Sequence, residues 1–332
     1  MLQIREGDCL DVMRRLALSG VRVDALVSDT PYHLTSIVKR FGGKNSAAAK
    51  GGDGSFSRLS RGFMGREWDG GDIAQNVEVW RAAYRLLKPG GWLLAMSATR
   101  TQHRMVCAIE DAGFEIRDLI GWMYGQGFSK NRRIMGRWSV GLKPAWEPIC
   151  VARKPLGEKT VEANLLRWGV GALNIGDCRV EATGESRARV DEASADRRYA
   201  DRGSTNFAML PGVRGGDPEG RFPSNIIVDD SDAVRALFPG ETARFFYCAK
   251  ATADERAFDH PTVKPTALMR YLVRLVTVPG ATVLDPFAGT GQTGHAALLE
   301  GRRAILIEKE PDYAEGLRRR FQTPAARRMI VL

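Results

Sequence analysis

Two acidic residues near the C-terminus, Asp285 and Glu308, each end a short apolar run, and a glycine-rich turn follows the first of them. The stretch VLDPFAGTGQTG (283–294) spaces its glycines as G-x-G-x-x-G. Such a turn lets the main chain approach a ligand, and a helix that begins there offers free N–H groups. Glu308, at the end of the next strand, can accept hydrogen bonds from both hydroxyls of a ribose. These residues therefore predict a site for a ribose-containing ligand.

A dinucleotide has this signature, but two features argue against it. Asp285 would place a negative charge beside a pyrophosphate, whereas it suits an ammonium group. Only 24 residues follow Glu308, so the remaining strands of the sheet have to come from the N-terminal half, in circularly permuted order. An adenosine-bearing cation with an amino acid tail is S-adenosylmethionine, whose sulfonium needs no phosphate-binding loop. A nicotinamide-dependent oxidoreductase would rest on the glycine turn alone.

An acid, a proline and an aromatic residue follow a buried strand in the N-terminal half. The apolar run VDALV (23–27) leads through a serine into Asp29, Thr30, Pro31 and Tyr32. This pattern is typical of a turn at a strand end, because proline fixes φ and aspartate tolerates turn geometry. A ligand contact is the second interpretation, and the tetrapeptide alone does not choose between the two.

Six motifs occur in a characteristic order. They are GDCLDVM (7–13), DTPY (29–32), LKPGG (87–91), HPTVKP (260–265), LDPFAGTGQTG (284–294) and IE (307–308). In order and spacing the chain resembles the β-class DNA amino-methyltransferases over about residues 1–155 and 244–322. Stretches such as GWMYGQGFSKNRR resemble a phage- or prophage-associated adenine-N6 branch. The resemblance implies a circularly permuted, Rossmann-like α/β fold that transfers a methyl group from S-adenosylmethionine to N6 of adenine in double-stranded DNA.

The resemblance assigns catalysis to Asp29, Thr30, Pro31 and Tyr32, although the family pattern is D-P-P-Y and Thr30 replaces its first proline. In the family, the Asp carboxylate and the next carbonyl hold the target amine and free its lone pair for attack. The base flips out of the duplex and stacks on the aromatic ring. Thr30 keeps that carbonyl, so we expect activity with a modest loss of preorganisation. Asp29 favours adenine, because Ser is usual there in cytosine-N4 enzymes.

The resemblance also implies a cofactor site. Asp8 is expected to approach the adenine amino group of the cofactor, and the segment 260–265 to line its methionine end. The plainer interpretations are a helix N-cap and a proline-framed turn. The predicted cofactor-binding residues are Asp8, His260, Thr262, Lys264, Asp285, Phe287, Gly289, Gly291 and Glu308.

Composition indicates a nucleic-acid partner. The 332 residues carry a formal net charge of +10, which fits phosphate binding by counterion release, although a merely basic surface has the same composition. Five scattered cysteines and four scattered histidines favour a reducing cytoplasm and no metal site. No apolar run is long enough to cross a membrane. The predicted DNA contacts are Lys39, Arg40, Lys44, Lys130, Arg132, Arg133 and Arg137.

Alternating strand and helix patterns position these residues and predict the α/β class. Strands are expected at 21–27, 92–96, 116–123, 282–285 and 303–308, and helices at 8–18, 73–87, 101–112, 266–276, 291–299 and 312–321. Residues 39–65 are poor in large apolar side chains and are interpreted either as a mobile loop that closes over the flipped base or as a plain surface loop. Regularity fails over 156–243, which predicts a target-recognition region inserted into a methyltransferase domain of residues 1–155 and 244–332.

Two further alternatives stay open. Cytosine-N4 methylation is chemically close, and a DNA-binding regulator weakened by Thr30 would bind DNA and cofactor without turnover. Related enzymes are often homodimers, but no interface stripe is evident in the sequence, and neither the recognition site nor a restriction partner can be deduced from it.

Overall fold

The computed structural model describes residues 1–32, 72–125, 134–139, 141–180, 220–229, 231–237, 246–248 and 264–322. Within these ranges the chain forms a nine-stranded sheet with helices packed against it. No helix in the described ranges is long and apolar enough to cross a membrane.

The N-terminal part alternates strands and helices. Its elements are β1 (Leu2–Glu6), α1 (Cys9–Leu18), β2 (Val23–Asp29), α2 (Val77–Leu86), β3 (Leu87–Met96), α3 (Gln102–Asp111) and β4 (Glu115–Met123). Side chains cap two of the helices: Asp8 Oδ1 accepts the N–H of Leu10 at 3.0 Å, and Asn76 Oδ1 accepts the N–H of Glu78 at 2.9 Å. The cap at Asp8 fixes the point where the chain leaves β1 and begins α1.

The middle of the chain adds three strands and two helices. They are β5 (Trp146–Arg153), α4 (Val161–Trp168), β6 (Ile226–Val228), α5 (Asp232–Arg235) and β7 (Tyr247–Cys248). The sequence did not predict β5, and the expected irregularity after residue 155 is wrong for α4. Thr160 caps this helix, and the fully buried Asn164 ties it to β3 by donating to the carbonyl of Pro89 at 3.0 Å.

The C-terminal part completes the sheet. Its elements are α6 (Thr266–Val276), β8 (Thr282–Asp285), α7 (Gln292–Leu299), β9 (Arg303–Glu308) and α8 (Pro311–Gln322). For α6, β8 and β9, both ends agree with the sequence prediction. Proline opens α8, a position at which its missing N–H costs nothing.

The order of the strands confirms the permuted α/β fold. It runs β1-β9-β8-β2-β3-β5-β4-β6-β7, so the last two strands of the chain lie between β1 and β2. From β1 to β3 all neighbours are parallel, whereas β5 runs antiparallel to β3 and β4. The carboxyl ends of β1, β9, β8, β2 and β3 therefore meet at one edge, which is where ligands bind in open parallel sheets.

A hydrophobic layer covers each face of the sheet. From Ala25 onward, successive residues of β2 belong to different layers: Ala25 and Val27 pack with α6, α7 and α8, while Leu26 packs with α1, α2 and α3. Val23 joins the layer of Leu26, and the register of β2 shifts between Val23 and Ala25. Strand β2 begins and ends two residues later than predicted, because Ser28 and Asp29 continue its pairing with β3. Asp29 is thus held by the sheet and does not belong to a loop.

Candidate active site

The edge of the sheet brings the two ends of the chain into one site. Ser28, at the end of β2, donates its hydroxyl hydrogen to Asp285 Oδ1, at the end of β8, over 2.6 Å. The N–H of Gly7, just after β1, donates to the main-chain carbonyl of Glu308, at the end of β9, over 2.9 Å. The glycine loop and the tetrapeptide at 29–32 therefore lie at the same edge of the sheet.

Close packing explains two of the three glycines in the loop. Gly291 has φ +81°, and a Cβ there would lie 2.5 Å from Leu317 Cδ2. A Cβ on Gly294 would lie 2.6 Å from Leu306 Cδ1. Gly289 also has a positive φ, of 52°. The loop is therefore pressed against α8 and β9, and side chains at 291 and 294 would push it off the sheet.

The Glu308 carboxylate organises the glycine loop. Oε2 accepts the N–H of Gly289 at 2.7 Å, and Oε1 accepts the N–H of Glu310 at 2.9 Å. Burial raises the pKa of Glu308 to about 7, although these main-chain N–H groups favour the ionised form. Each oxygen has a second lone pair, so the carboxylate can still accept the two hydroxyls of a ribose.

Asp285 is a buried carboxylate that has no basic partner among the described side chains. It is 2% exposed, and Oδ1 accepts the hydroxyl of Ser28 and the N–H of Phe287, the latter at 3.0 Å. Burial raises the pKa of Asp285 to about 6, against the effect of these hydrogen bonds. A bound ammonium would compensate this charge, so the donor and acceptor set fits the amino acid end of S-adenosylmethionine.

Asp8 lies between the strand ends and the first helix. Its Oδ1 caps α1, as the plainer interpretation predicted. The neighbouring Gly7 is hydrogen-bonded to Glu308, so Asp8 stands beside the predicted ribose site, and its contact with an adenine ring stays a prediction.

The two carboxylate oxygens of Asp29 differ in their hydrogen bonds to the described residues. Its Oδ2 accepts a hydrogen bond from Lys264 Nζ at 2.8 Å. Its Oδ1 is buried and has no hydrogen-bond partner among the described residues. Burial is the largest cause that raises the pKa of Asp29; Lys264 opposes it, and Glu147 adds to it. An acceptor without a donor at the carboxyl end of a parallel strand indicates a place for a ligand N–H group.

Lys264 and Tyr32 meet a carboxylate that the sequence did not indicate. Glu147, in β5, accepts the hydroxyl of Tyr32 at 2.5 Å, and its Oε2 lies 3.3 Å from Lys264 Nζ. Lys264 Nζ also lies 5.1 Å from the centre of the Tyr32 ring. Glu147 is the single acid at the start of the apolar run WEPICVA. Recognising that run as a strand would have placed this acid at the edge of the sheet. Lys264 thus contacts Asp29, and its predicted role at the methionine end stays a prediction.

Thr30 makes a bond that proline could not make. The residue is 3% exposed, and its hydroxyl donates to the carbonyl of Met96 over 2.7 Å. The tyrosine that follows Pro31 is also fixed, because Thr101 Oγ1 donates to the carbonyl of Tyr32 over 2.7 Å. These two bonds tie the tetrapeptide to the end of β3 and to the start of α3.

We expect Thr30→Val to lower the free energy of unfolding by about 1 kcal/mol, the usual net value of one hydrogen bond. Valine has nearly the same shape but no hydroxyl, so the carbonyl of Met96 loses this donor. Urea unfolding measures the difference, and Thr30→Ser, which keeps the hydroxyl, is the matched control. A Val variant as stable as the wild type would show that the bond contributes nothing.

Several predicted site residues lie outside the described ranges. They are His260, Thr262, Lys39, Arg40, Lys44, Lys130, Arg132 and Arg133, together with the segment 39–65. Arg137 is described: it is exposed, and its guanidinium lies 5.4 Å from the centre of the Trp138 ring. Within the described residues no cluster of three or more His, Cys, Asp and Glu side chains could hold a metal ion.

Comparison with known proteins identifies the family. A family model described as DNA methylase matches residues 23–319. Type II methyltransferase M.HindIII of Haemophilus influenzae is 25% identical over 88% of this chain and 86% of its own length. DNA adenine methyltransferase YhdJ of Escherichia coli is 47% identical over 18% of this chain and 21% of its own length.

Solved structures show the same fold. The crystal structure of M1.HpyAVI matches with a TM-score of 0.50 and 16% identity, over 97% of this chain and all of that one. The cytosine-N4-specific PvuII DNA methyltransferase matches with a TM-score of 0.50 and 13% identity, over 99% of this chain and 90% of its own. With the family match over most of its length, this chain belongs to the N6/N4 family of DNA methylases.

Proposed function

We propose that this protein transfers a methyl group from S-adenosylmethionine to N6 of adenine at a specific site in double-stranded DNA. The single observation that carries the proposal is Asp29 Oδ1, a buried acceptor without a hydrogen-bond donor among the described residues, at the same sheet edge as the glycine loop. The methyl donor is S-adenosylmethionine, which supplies an electrophilic methyl group when it is bound.

The residues on this edge have separate tasks in that reaction. Asp29 Oδ1 and the main-chain carbonyl of Thr30 accept hydrogen bonds from the amino group of the target base, which draws its lone pair out of the ring. Tyr32 offers a stacking face to a base that has left the duplex, because bases inside the helix cannot reach such a pocket. Asp285 and Glu308 hold the ammonium and the ribose, so that the amine and the methyl group are in line.

Adenine is favoured over cytosine by one residue and by one relative. Asp at position 29 is the residue expected of adenine enzymes in the resembling family, and YhdJ, which shares a short and more similar stretch, is named an adenine methyltransferase. The likeness to PvuII methyltransferase concerns the fold alone. Cytosine-N4 methylation is the second candidate, because its target amine needs the same pair of acceptors.

Nucleoside analysis tests the proposal. DNA is incubated with the protein and tritiated S-adenosylmethionine, digested, and separated by liquid chromatography with mass detection. We expect the label in N6-methyldeoxyadenosine. Label in N4-methyldeoxycytidine would establish the second candidate, and cofactor and DNA binding without any label would establish a regulator that lacks turnover. Sequencing of the methylated positions would then give the recognition site.

The connection between β4 and β5 supports a DNA face on the same edge. Both of its ends emerge there, because β5 is antiparallel to β3 and its residue Ile149 pairs with Met96. A short turn within it pairs Ile134 with Trp138 and exposes Met135, Arg137 and Trp138. We therefore propose that DNA phosphates lie along this turn. Residues 156–243 are proposed as the target-recognition region. The enzyme is proposed to be encoded by a bacterium or a phage and to act at the nucleoid.

We expect Arg137→Ala to weaken DNA binding to a similar degree for all sequences and to reduce the salt dependence of the affinity by about one unit of slope, as the loss of one phosphate contact does. Fluorescence anisotropy over a salt series measures both quantities. Arg22→Ala is the matched control, since Arg22 is exposed at the amino end of β2 and hydrogen-bonds the carbonyl of Val21. If both variants kept the wild-type slope, Arg137 would have no part in binding.

A further inference from the structure

Two carboxylates share one buried ammonium in the candidate active site. Lys264 Nζ lies 2.8 Å from Asp29 Oδ2 and 3.3 Å from Glu147 Oε2. The side chain of Lys264 is 7% exposed, that of Glu147 is 18% exposed, and that of Asp29 is 28% exposed. Asp29 thus has the most solvent-exposed side chain of the three, and Lys264 has the most buried one.

The charges of this group do not cancel. The two carboxylates raise the pKa of Lys264, against the effect of burial, so the lysine stays positive at neutral pH. With both acids ionised the three side chains carry one net negative charge. A pair of Asp29 and Lys264 alone would be neutral, and its attraction for a positive charge would be weak.

We propose that Glu147 is a positioning residue that acts through Lys264 and Tyr32 and keeps the group of Asp29, Lys264 and Glu147 net negative toward the target amine. Its Oε2 faces the ammonium and also accepts the hydroxyl of Tyr32, so one carboxylate orients both neighbours of Asp29. Lys264 can then fix the rotamer of Asp29 without neutralising the site. This inference rests on the proposed amino-methyltransferase function.

The charge that moves during the reaction explains the need for a net negative group. The amine nitrogen forms a bond to the methyl carbon, and the carbon–sulfur bond breaks with its electron pair left on sulfur. The nitrogen becomes positive until its extra proton passes to solvent. A fixed negative charge beside the nitrogen stabilises that transition state, and a neutral Asp29–Lys264 pair would do so less well.

Charged and titratable groups surround Asp29 from four elements. They are Lys264 before α6, Glu147 in β5, Asp285 in β8 and Tyr32 beside it, and Tyr124 after β4 interacts with Glu147 and Lys264. Burial and the acids raise the pKa of both tyrosines, so these two stay neutral at the pH of the assay. A single substitution at Glu147 can therefore remove one negative charge near Asp29 and still leave a side chain of similar size in place.

Glu147→Gln keeps the shape of the side chain and an acceptor for Tyr32 but removes its charge. We expect the single-turnover rate at the plateau of the pH profile to fall by about 10- to 100-fold, by analogy with the loss of a residue that orients a metal ligand. The acid limb of the profile should move to lower pH, because the pKa of Asp29 falls when a neighbouring negative charge is removed. Rates are measured from pH 5 upward with saturating S-adenosylmethionine, so that weaker cofactor binding below about pH 6 does not set the acid limb.

Two further variants separate the charge from the structure. Glu147→Asp keeps the charge, so we expect the acid limb at its wild-type position and most of the rate restored. Tyr32→Phe removes the hydroxyl and leaves the charges, so its acid limb does not move to lower pH. Thermal unfolding of each variant verifies that it is folded.

The outcomes distinguish this inference from the function on which it rests. If the wild-type protein methylates adenine and Glu147→Gln keeps the wild-type rate and profile, the inference is overturned. A lower plateau with an unmoved acid limb also overturns it, because Glu147 would then have a purely structural role. If the wild-type protein transfers no methyl group, the proposed function fails, whatever the variants show.

Discussion

Asp29→Asn is expected to lower the single-turnover rate of methyl transfer by at least about 100-fold, since losing one well-placed polar group at a reacting centre commonly costs that much. Lys264 Nζ donates to Asp29 Oδ2 at 2.8 Å, so the amide of the variant has to present its oxygen to the lysine. The NH2 group of Asn then takes the place of Oδ1. It faces the N–H groups of the target amine, and two donors cannot form a hydrogen bond. Quenched-flow experiments with excess enzyme measure this rate directly.

Asp24→Asn is the matched control for this substitution. Asp24 lies at the opposite end of the same strand, where Oδ1 accepts from Lys88 Nζ at 2.5 Å and Oδ2 accepts from the N–H of Thr282 at 2.6 Å. We expect it to lower the free energy of unfolding and to leave the single-turnover rate unchanged. An Asp29→Asn protein that still binds cofactor and methylates DNA at close to the wild-type rate would contradict the assignment.

The sequence predicted the parts of the site that depend on strand ends. Asp29, Asp285 and Glu308 each follow an apolar run, and the carboxyl ends of neighbouring parallel strands lie at one edge of a sheet. The permuted order was predicted from the position of the glycine motif after the DTPY motif in the chain, and the strand order confirms it. These inferences need only the direction and the order of the elements, and both can be read from patterns in the chain.

Contacts between distant elements could not be predicted in this way. Glu147 lies in the site because β5 runs antiparallel beside β3. Two prolines, Pro144 and Pro148, make the sequence around that strand typical of a loop. The bond from Lys264 to Asp29 depends on where the segment before α6 crosses the sheet edge. A motif shows that such a lysine is present, but it does not show which carboxylate the lysine reaches.

Helix α4 is a different kind of miss, because its local signals were present. Thr160 is a favoured N-cap residue, and Gly169 ends the helix with φ +72°. The glycines and charged residues around this helix nevertheless give the segment a composition that is typical of irregular structure. The fully buried Asn164, with bonds to Pro89 and Val170, then fixes the helix on β3 by tertiary contacts that no local pattern contains.

Asp285→Asn is expected to stabilise the fold and weaken cofactor binding at the same time. The folded protein holds the pKa of Asp285 at about 6, above the ordinary value of 3.8, mainly because the carboxylate is buried. The folded state therefore keeps a proton that the unfolded chain has already lost, and the free energy of unfolding falls as pH rises from about 4 to about 6. Above that window the ionised carboxylate costs about 3 kcal/mol, which an uncharged Asn avoids.

The hydrogen bonds around Asp285 suit this exchange. The oxygen that accepts from Ser28 Oγ and from the N–H of Phe287 is retained in Asn. We therefore expect a higher free energy of unfolding for the variant at pH 8 than for the wild type, and a difference that shrinks toward pH 4. Urea unfolding at several pH values measures it. A variant that is less stable than the wild type at pH 8 would contradict the cost assigned to the buried charge.

Cofactor affinity should change in the opposite direction. A charge-assisted hydrogen bond contributes about 1.5 to 3 kcal/mol, so we expect the dissociation constant for S-adenosylmethionine to rise by about 10- to 100-fold in Asp285→Asn. In the wild type the affinity should fall below about pH 6, where Asp285 takes up its proton.

Ser28→Ala removes a hydrogen bond that favours the ionised form of Asp285, so this fall in affinity should begin at higher pH. Isothermal titration calorimetry measures both effects. Unchanged affinity in Asp285→Asn would mean that the ammonium binds elsewhere.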